Sequence, residues 1–216
     1  MSLSLEHIVR KPQADAAAPP LLILLHGLGS NEQDLFSFAP QLDPKYLIVS
    51  LRAPILNGFG GYAWFNLDFS RSMPQVDLQQ FESSRKLLLQ EIEEITNIYH
   101  TDKNKVYLAG FSQGAMMCYA VALTHPQMIA GVVAMSGYVL QDLVPKITDK
   151  KGLENLNILA THGVYDQVLP VFLGRATRDF LKTLPVKFSY QEYNMAHEVS
   201  YDCFVDIKRW LSAQIS

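Results

Sequence analysis

The sequence predicts an α/β fold built on a mostly parallel central sheet of about seven strands, with helices on both faces of the sheet. Seven apolar runs of strand length alternate with longer stretches of helical periodicity along the 216 residues. Most of these runs, such as LLILL and GVVAM, are apolar throughout, which is typical of parallel strands covered on both faces. Charged residues make up only 18% of the chain, against roughly 25% in an average protein.

The candidate strands cover residues 3–9, 20–26, 46–51, 105–111, 129–135, 156–162 and 186–192. Helices are predicted over 31–42, 78–100, 113–125 and 171–184, and a last helix is indicated by the apolar series Val199, Cys203, Ile207, Trp210 and Leu211. The long helix 78–100 has one apolar stripe, formed by Leu88, Ile92, Ile95 and Tyr99. Its opposite side is predicted to be solvated and contains Glu91, Glu93 and Glu94.

We predict a single domain over residues 1–216. No linker divides the chain, and the segment from Ser136 to Glu154 is too short to form a separate lid domain. The longest irregular stretch, 52–76, is rich in aromatic residues. Long loops inside compact domains are often functional, so we expect this stretch to border a site.

The most specific motif is Gly110-Phe111-Ser112-Gln113-Gly114, between an apolar strand and the apolar start of a helix. In this setting, G-x-S-x-G is typical of a nucleophilic serine held in a sharp strand-to-helix turn. The glycines are needed because a Cβ atom at either position would collide in that turn. The turn lifts the hydroxyl above the carboxyl edge of the sheet, so Ser112 is the candidate nucleophile.

A serine hydroxyl needs a base, and the base needs an acid that orients it. In hydrolases with this motif both follow the serine, and only His125, His162 and His197 follow Ser112. His125 is expected to end a helix and His162 ends a strand. His197 lies in a late loop that can reach back over the sheet edge, so we predict it as the base.

Asp166 is the candidate acid. It lies in HGVYDQVLP, just past a strand and at the same edge of the sheet as Ser112. Asp142 and Asp149, in the loop after the preceding strand, are the alternatives. Asp166 as a simple turn former is the other interpretation of this residue.

A second motif, His26-Gly27-Leu28-Gly29, follows the apolar run PPLLILL. Hydrolases of this kind use such a turn to supply one oxyanion donor, so we predict an oxyanion hole formed by the backbone N–H groups of Leu28 and Gln113. His26 is expected to orient the loop rather than to react. In the aromatic stretch, Trp64 and Phe65 are predicted to bind substrate, with Phe59 or Tyr62 as further candidates.

Several classes of function are excluded by the sequence. The net charge of −3 predicts neither a nucleic-acid partner nor stable membrane association. No metal is predicted, because there is no C-x-x-C pair and HEVSY has Tyr201 where a zinc-binding helix needs histidine. No cofactor is predicted, since GLGSNE has Glu32 in place of the third glycine of a dinucleotide fingerprint. The N-terminus lacks a signal-peptide pattern, so we expect a cytoplasmic protein with Cys118 and Cys203 reduced.

Taken together, these residues resemble the phospholipase/carboxylesterase family of α/β hydrolases, which is related to acyl-protein thioesterases. The resemblance spans nearly the whole chain, through LLHGLGSNEQDL (24–35), LRAP (51–54), AWFNLD (63–68), AGFSQGA (109–115), THGVYDQVLP (161–170) and MAHEVS (195–200). SNEQDL is similar to the bacterial carboxylesterase branch. The resemblance implies an α/β-hydrolase fold, a triad of Ser112, Asp166 and His197, and esterase activity without metal or cofactor.

The predicted function is therefore a serine carboxylesterase that hydrolyses small carboxylic esters through an acyl-enzyme. One alternative keeps the chemistry but acts on long acyl chains, as a lysophospholipase or acyl-protein thioesterase does. A remote alternative is a non-catalytic binding protein on a hydrolase scaffold.

Overall fold

The computed structural model describes residues 3–13, 16–58, 60–68, 75–147 and 150–216. The strands are β1 (His7–Arg10), β2 (Leu21–Leu25), β3 (Leu47–Leu51), β4 (Ile55–Leu56), β5 (Tyr62–Ala63), β6 (Leu67–Asp68), β7 (Gln75–Val76), β8 (Val106–Phe111), β9 (Gly131–Met135), β10 (Asn157–Gly163) and β11 (Lys187–Tyr193). The helices are α1 (Gln33–Phe36), α2 (Leu78–Ile98), α3 (Gln113–Thr124), α4 (Val171–Leu181) and α5 (Tyr201–Ala213).

The main sheet has seven strands in the order β1-β3-β2-β8-β9-β10-β11. All neighbouring pairs are parallel except β1 and β3, which are antiparallel. The predicted seven-stranded, mostly parallel sheet is thereby confirmed. The first strand differs most from its predicted bounds. The prediction covers residues 3–9, whereas β1 covers His7–Arg10.

Both faces of the sheet are covered. Strand β2 is an example, and its burial explains why polar and apolar residues do not alternate in its sequence. Leu21, Ile23 and Leu25 point into one core, which includes residues of α2, α3 and α4. Leu22 and Leu24 point into a second core, which includes residues of α1 and α5. Successive side chains of a strand point to opposite faces, so a strand between two helix layers must be apolar at every position.

Helix α2 follows its predicted stripe. Leu88, Ile92 and Ile95 are buried, and Asp77 caps the start of the helix by accepting hydrogen bonds from two backbone N–H groups of the first turn. Helix α3 is apolar on all sides and is buried from Gln113 to Leu123. A helix of this composition needs neighbours all round, and α3 packs between the sheet and α2.

The prediction that Glu91 lies on a solvated face is wrong. Glu91 is 1% exposed, and one carboxylate oxygen accepts hydrogen bonds from the backbone N–H groups of Ser4, at 2.8 Å, and Leu5, at 3.2 Å. Burial raises the pKa of this carboxyl group. Glu91 therefore attaches the segment before β1 to helix α2.

The predicted helix over 31–42 is broken in the structure. Only α1 is α-helical, and a 3₁₀ turn at Ala39–Gln41 follows it. Pro40 has no backbone N–H to continue the helix, which explains the break. Within the described part of the stretch 52–76, predicted to be irregular, β4 pairs with β5 and β6 pairs with β7.

The start of α3 lies against the ends of β2 and β8 with no room for side chains. A Cβ atom built on Gly114 would lie 1.9 Å from the carbonyl oxygen of Leu25. One built on Gly110 would lie 2.4 Å from the carbonyl carbon of Gly114. Each of these contacts is with backbone, which cannot move aside without distorting β2 or the start of α3.

We therefore expect Gly114→Ala to lose roughly 3 kcal/mol or more of unfolding free energy, or to fail to fold, because the methyl group must displace β2. Gly58→Ala is the matched control, since a Cβ atom there meets nothing within 4 Å. We expect that variant to stay within about 0.5 kcal/mol of the wild type. Urea denaturation measures both. Equal denaturation midpoints for Gly114→Ala and the wild type would contradict the close approach.

Candidate active site

Ser112 occupies the turn between β8 and α3 in a conformation that residues with side chains rarely adopt. Its φ is +54° and its ψ is −116°. Such a backbone costs about 1–3 kcal/mol and persists only where its surroundings hold it. Here the Ser112 N–H donates to the carbonyl oxygen of Met135 on β9 at 2.9 Å. The Ser112 side chain lines a cavity at the carboxyl edge of the sheet.

The structure brings Ser112, His197 and Asp166 into one row. Nε2 of His197 lies 3.0 Å from Oγ of Ser112, and Nδ1 of His197 lies 2.7 Å from Oδ2 of Asp166. The three residues come from distant segments, since His197 is 85 positions from Ser112 and 31 from Asp166. The side chain of Asp166 is wholly buried, whereas that of His197 is 16% exposed.

Asp166 is held so that one carboxylate oxygen is reserved for His197. Its Oδ1 accepts hydrogen bonds from the backbone N–H groups of Val168, at 2.9 Å, and Leu169, at 2.8 Å. An ionised carboxylate only accepts, so Nδ1 of His197 donates to Oδ2. In the neutral imidazole Nε2 is then left without a proton, and it can accept the hydrogen of the Ser112 hydroxyl.

The loops that hold Asp166 and His197 are packed directly on each other. The backbone N–H of Tyr165 donates to the carbonyl oxygen of Met195 at 3.1 Å. Gly163 permits this approach, because a Cβ atom there would lie 2.3 Å from the carbonyl oxygen of Ala196. The distance between acid and base is therefore set by backbone contacts as well as by their own hydrogen bond.

Two backbone N–H groups lie where they could bind negative charge. Gln113 is the first residue of α3, and N–H groups at a helix start have no partner inside the helix. Leu28 lies in the turn after β2, and both residues line the cavity beside Ser112. Within the described part of the chain no protein acceptor binds either N–H. The dipole of α3 adds positive potential at the same end.

His26 holds the turn that contains Leu28. Its Nδ1 lies 2.7 Å from the carbonyl oxygen of Gly27, and its Nε2 accepts the backbone N–H of Ala53 at 3.0 Å. The ring is completely buried, and burial lowers its pKa. A neutral ring with both nitrogens engaged has the orienting role that the sequence predicts for His26.

The side chain of Gln113 also holds the aromatic segment in place, a role that the sequence did not reveal. Its Oε1 accepts the backbone N–H of Trp64 at 3.1 Å, and its Nε2 donates to the carbonyl oxygen of Phe65 at 2.8 Å. The indole N–H of Trp64 in turn donates to the carbonyl oxygen of His26 at 2.9 Å. Gln113 thus ties the aromatic segment to the start of α3.

The cavity has a volume of about 280 Å³ and is mainly apolar. The prediction that Trp64 binds substrate needs correction, because its side chain is fully buried and does not line the cavity. Phe65 does line it. Tyr62 lies beneath Arg52 instead, with the guanidinium 4.7 Å from the ring centre, and Phe59 lies outside the described residues.

Sequence reasoning also missed several apolar lining residues. They are Met116, Tyr138, Val168, Leu169, Pro170 and Leu173. The last four belong to VLPVFL (168–173), an apolar series directly after the polar pair Asp166-Gln167. That series was the available signal, because a segment exposed to solvent has little other reason to be apolar. Val168 is 64% exposed in the structure.

The remaining candidates for base and acid lie elsewhere. His125 caps the end of α3, as predicted, and its Nδ1 lies 3.0 Å from the hydroxyl of Thr124. Asp142 is exposed in the 3₁₀ turn Gln141–Lys146. Asp149 lies outside the described residues. His162 is the exception, because it lies beside Asp166 without touching Ser112.

In the described ranges no group of three or more His, Cys, Asp or Glu side chains could hold a metal ion. Cys118 and Cys203 are buried free thiols. No helix in the described part of the chain is long and apolar enough to span a membrane.

Comparison with known proteins agrees with this architecture. The family model for phospholipase/carboxylesterase proteins matches residues 6–215. Acyl-protein thioesterase 1 of Candida albicans is 27% identical over 94% of this chain and 95% of its own. Acyl-protein thioesterase 1 of Saccharomyces cerevisiae is 29% identical over 90% of this chain and 92% of its own. The crystal structure of the Bacillus cereus carboxylesterase superposes with a TM-score of 0.83 at 20% identity, covering 98% and 95% of the two chains.

A match over almost the entire length establishes the family that the sequence motifs predict. The structural similarity independently supports the α/β-hydrolase fold. The chain belongs to the phospholipase/carboxylesterase family of α/β hydrolases, enzymes that act on ester bonds.

Proposed function

We propose that the protein is a serine carboxylesterase that hydrolyses small carboxylic esters through a Ser112–His197–Asp166 triad. The observation that carries the proposal is the pair of hydrogen bonds on His197, 3.0 Å to Ser112 and 2.7 Å to Asp166. Together they place an imidazole of defined tautomer against a strained serine. That arrangement is what an activated nucleophile requires.

In the first half of the reaction Oγ of Ser112 attacks the ester carbonyl carbon as Nε2 of His197 takes the hydroxyl proton. The carbonyl oxygen becomes an oxyanion, which the N–H groups of Leu28 and Gln113 stabilise. The C–O bond of the ester then breaks, and the proton on Nε2 passes to the leaving alkoxide. An alcohol departs and the acyl group remains on Ser112.

The second half repeats these steps with water. His197 takes a proton from water, which attacks the acyl carbon, and the same two N–H groups stabilise the second oxyanion. Collapse returns the proton to Ser112 and releases the carboxylic acid. Throughout, Asp166 stays ionised and stabilises the imidazolium through Nδ1.

The acyl side of the proposed site is the apolar cavity that Phe65 helps to line. Its volume of about 280 Å³ lies just below the roughly 300–1,000 Å³ of typical ligand pockets. A small acyl group fits this size. Trp64, although not a lining residue, is bonded to two segments that border the cavity, through Gln113 and through the carbonyl oxygen of His26.

A second candidate is the hydrolysis of long acyl esters or thioesters. A further cavity of about 230 Å³ shares Tyr138 and Leu173 with the first, so a chain that passes between them would gain space. The curated relatives named acyl-protein thioesterase 1 point in the same direction. We place small esters first because the cavity that Ser112 lines has by itself a volume of only about 280 Å³.

We further propose that the protein acts in the cytoplasm on free small molecules, without a nucleic-acid or membrane partner. The net charge of −3 supports this, as it offers no attraction to polyanions. The two free thiols also fit a reducing compartment.

Hydrolysis of p-nitrophenyl esters from acetate to palmitate tests the function, with Ser112→Ala as the control. We expect the highest kcat/KM at short chains and a fall of roughly 10⁶ in kcat for Ser112→Ala. A maximum at long chains would favour the second candidate. Absence of Ser112-dependent turnover on every ester would reject the function and favour a non-catalytic binding protein.

Asp166→Asn tests the acid. The amide retains the shape of the carboxylate but does not force the same imidazole tautomer, so we expect kcat to fall by roughly 10⁴. Asp142→Asn is the matched control, because Asp142 is exposed in the 3₁₀ turn and we expect it to keep wild-type kcat. The reverse result would transfer the acid role to Asp142. Thermal melts of both variants establish that they are folded.

A further inference from the structure

His162 is a buried histidine that the proposed reaction does not use. It lies near the end of β10 with its side chain 1% exposed. Its Nε2 lies 2.7 Å from the carbonyl oxygen of Leu169. A carbonyl oxygen only accepts, so the proton of the ring is on Nε2 and His162 is the donor.

Both backbone polar groups of Leu169 are hydrogen-bonded. Its carbonyl oxygen accepts the hydrogen bond from His162, and its backbone N–H donates to Oδ1 of Asp166 at 2.8 Å. A side chain on β10 therefore anchors the loop that orients the carboxylate. A continuous series of contacts leads from His162 through Leu169 and Asp166 to His197, and from there to Ser112.

The same ring also faces the carboxylate directly. Nε2 of His162 lies 3.6 Å from Oδ2 of Asp166, the oxygen that binds His197. That distance is too long for a good hydrogen bond, so His162 does not compete with His197 for the oxygen. The N–H dipole still attracts the negative charge in a region without solvent.

The helix packed against His162 leaves room for its imidazole ring. A Cβ atom on Gly174 of α4 would lie 2.6 Å from Nδ1 of His162, so the helix leaves space for the ring only because residue 174 is glycine. In the described part of the chain, Nδ1 has no hydrogen-bond partner. Burying an unpaired polar atom is costly, which argues that the contact made by the other nitrogen compensates for it.

We propose that His162 is a positioning residue for Asp166, acting through Leu169 rather than on the substrate. The proposal rests on the function proposed above. Without the Nε2 donor, the loop 163–169 keeps its backbone bond to Met195 but loses its anchor at Leu169, so Asp166 shifts relative to His197. A small displacement of a catalytic group lowers the rate of the chemical step more than it weakens substrate binding.

The test compares two amides that differ by one methylene group. The side chain of His162→Gln places its N–H₂ close to the position of Nε2, within reach of the Leu169 carbonyl. The amide of His162→Asn falls short of it. We expect kcat of His162→Asn to fall by roughly 10²-fold with KM within about twofold, and that of His162→Gln to recover to within roughly tenfold of the wild type. His125→Asn, at the far end of α3, is the control and should keep wild-type kcat.

An NMR measurement provides a readout that does not depend on turnover. The Nδ1 proton of His197, bound to a carboxylate at 2.7 Å, should be among the most deshielded protons in the spectrum. We expect that resonance in the wild type and in His162→Gln, and its loss or broadening in His162→Asn at a temperature where all three are folded.

Equal kcat values for the two amides, with the resonance retained in both, would overturn the role of His162. If the wild-type enzyme lacked Ser112-dependent hydrolysis, the proposed function would fail. The resonance would still decide whether His162 positions Asp166. The two failures are therefore distinguishable.

Discussion

The close approach of helix α3 to the carboxyl ends of β2 and β8 is the constraint on which the site depends. Gly110 and Gly114 leave no side chain in the contact, and the backbone of Leu25 fills the space instead. This packing forces Ser112 to φ +54° and directs the N-terminus of α3 at the same point. One steric requirement thus positions both the candidate nucleophile and the helix end that can stabilise negative charge.

The remaining parts of the site are held in place by hydrogen bonds to backbone groups. Gln113 fixes the backbone of Trp64 and Phe65, and His26 fixes the turn of Leu28. On the other side, the loops of Asp166 and His197 contact each other through Tyr165 and Met195. Groups held by backbone contacts lose little freedom when substrate binds, and such preorganisation favours catalysis by fixed dipoles.

Much of this arrangement is predictable from the sequence, for local reasons. Strands such as LLILL are recognisable because burial on both faces leaves no polar positions. Ser112 is recognisable because its turn tolerates only glycine two residues away on each side. The errors concern contacts between distant segments. Glu91 has the sequence context of a solvated helix face, yet the backbone of Ser4 and Leu5 covers it. Trp64 has a bond to His26 that no local pattern reveals, and the contact of His162 with Leu169 exists only once the loop has folded.

We expect Ser112 to be the activated nucleophile. Mass spectrometry of the intact enzyme after reaction with a fluorophosphonate, followed by mapping of the labelled peptide, tests this expectation. Ser136 is a useful internal comparison, because it also has a positive φ, of 49°, but is completely buried and is absent from the cavity lining. We expect one label per molecule, located on Ser112. No labelling, or labelling of Ser136 or another serine in place of Ser112, would contradict it.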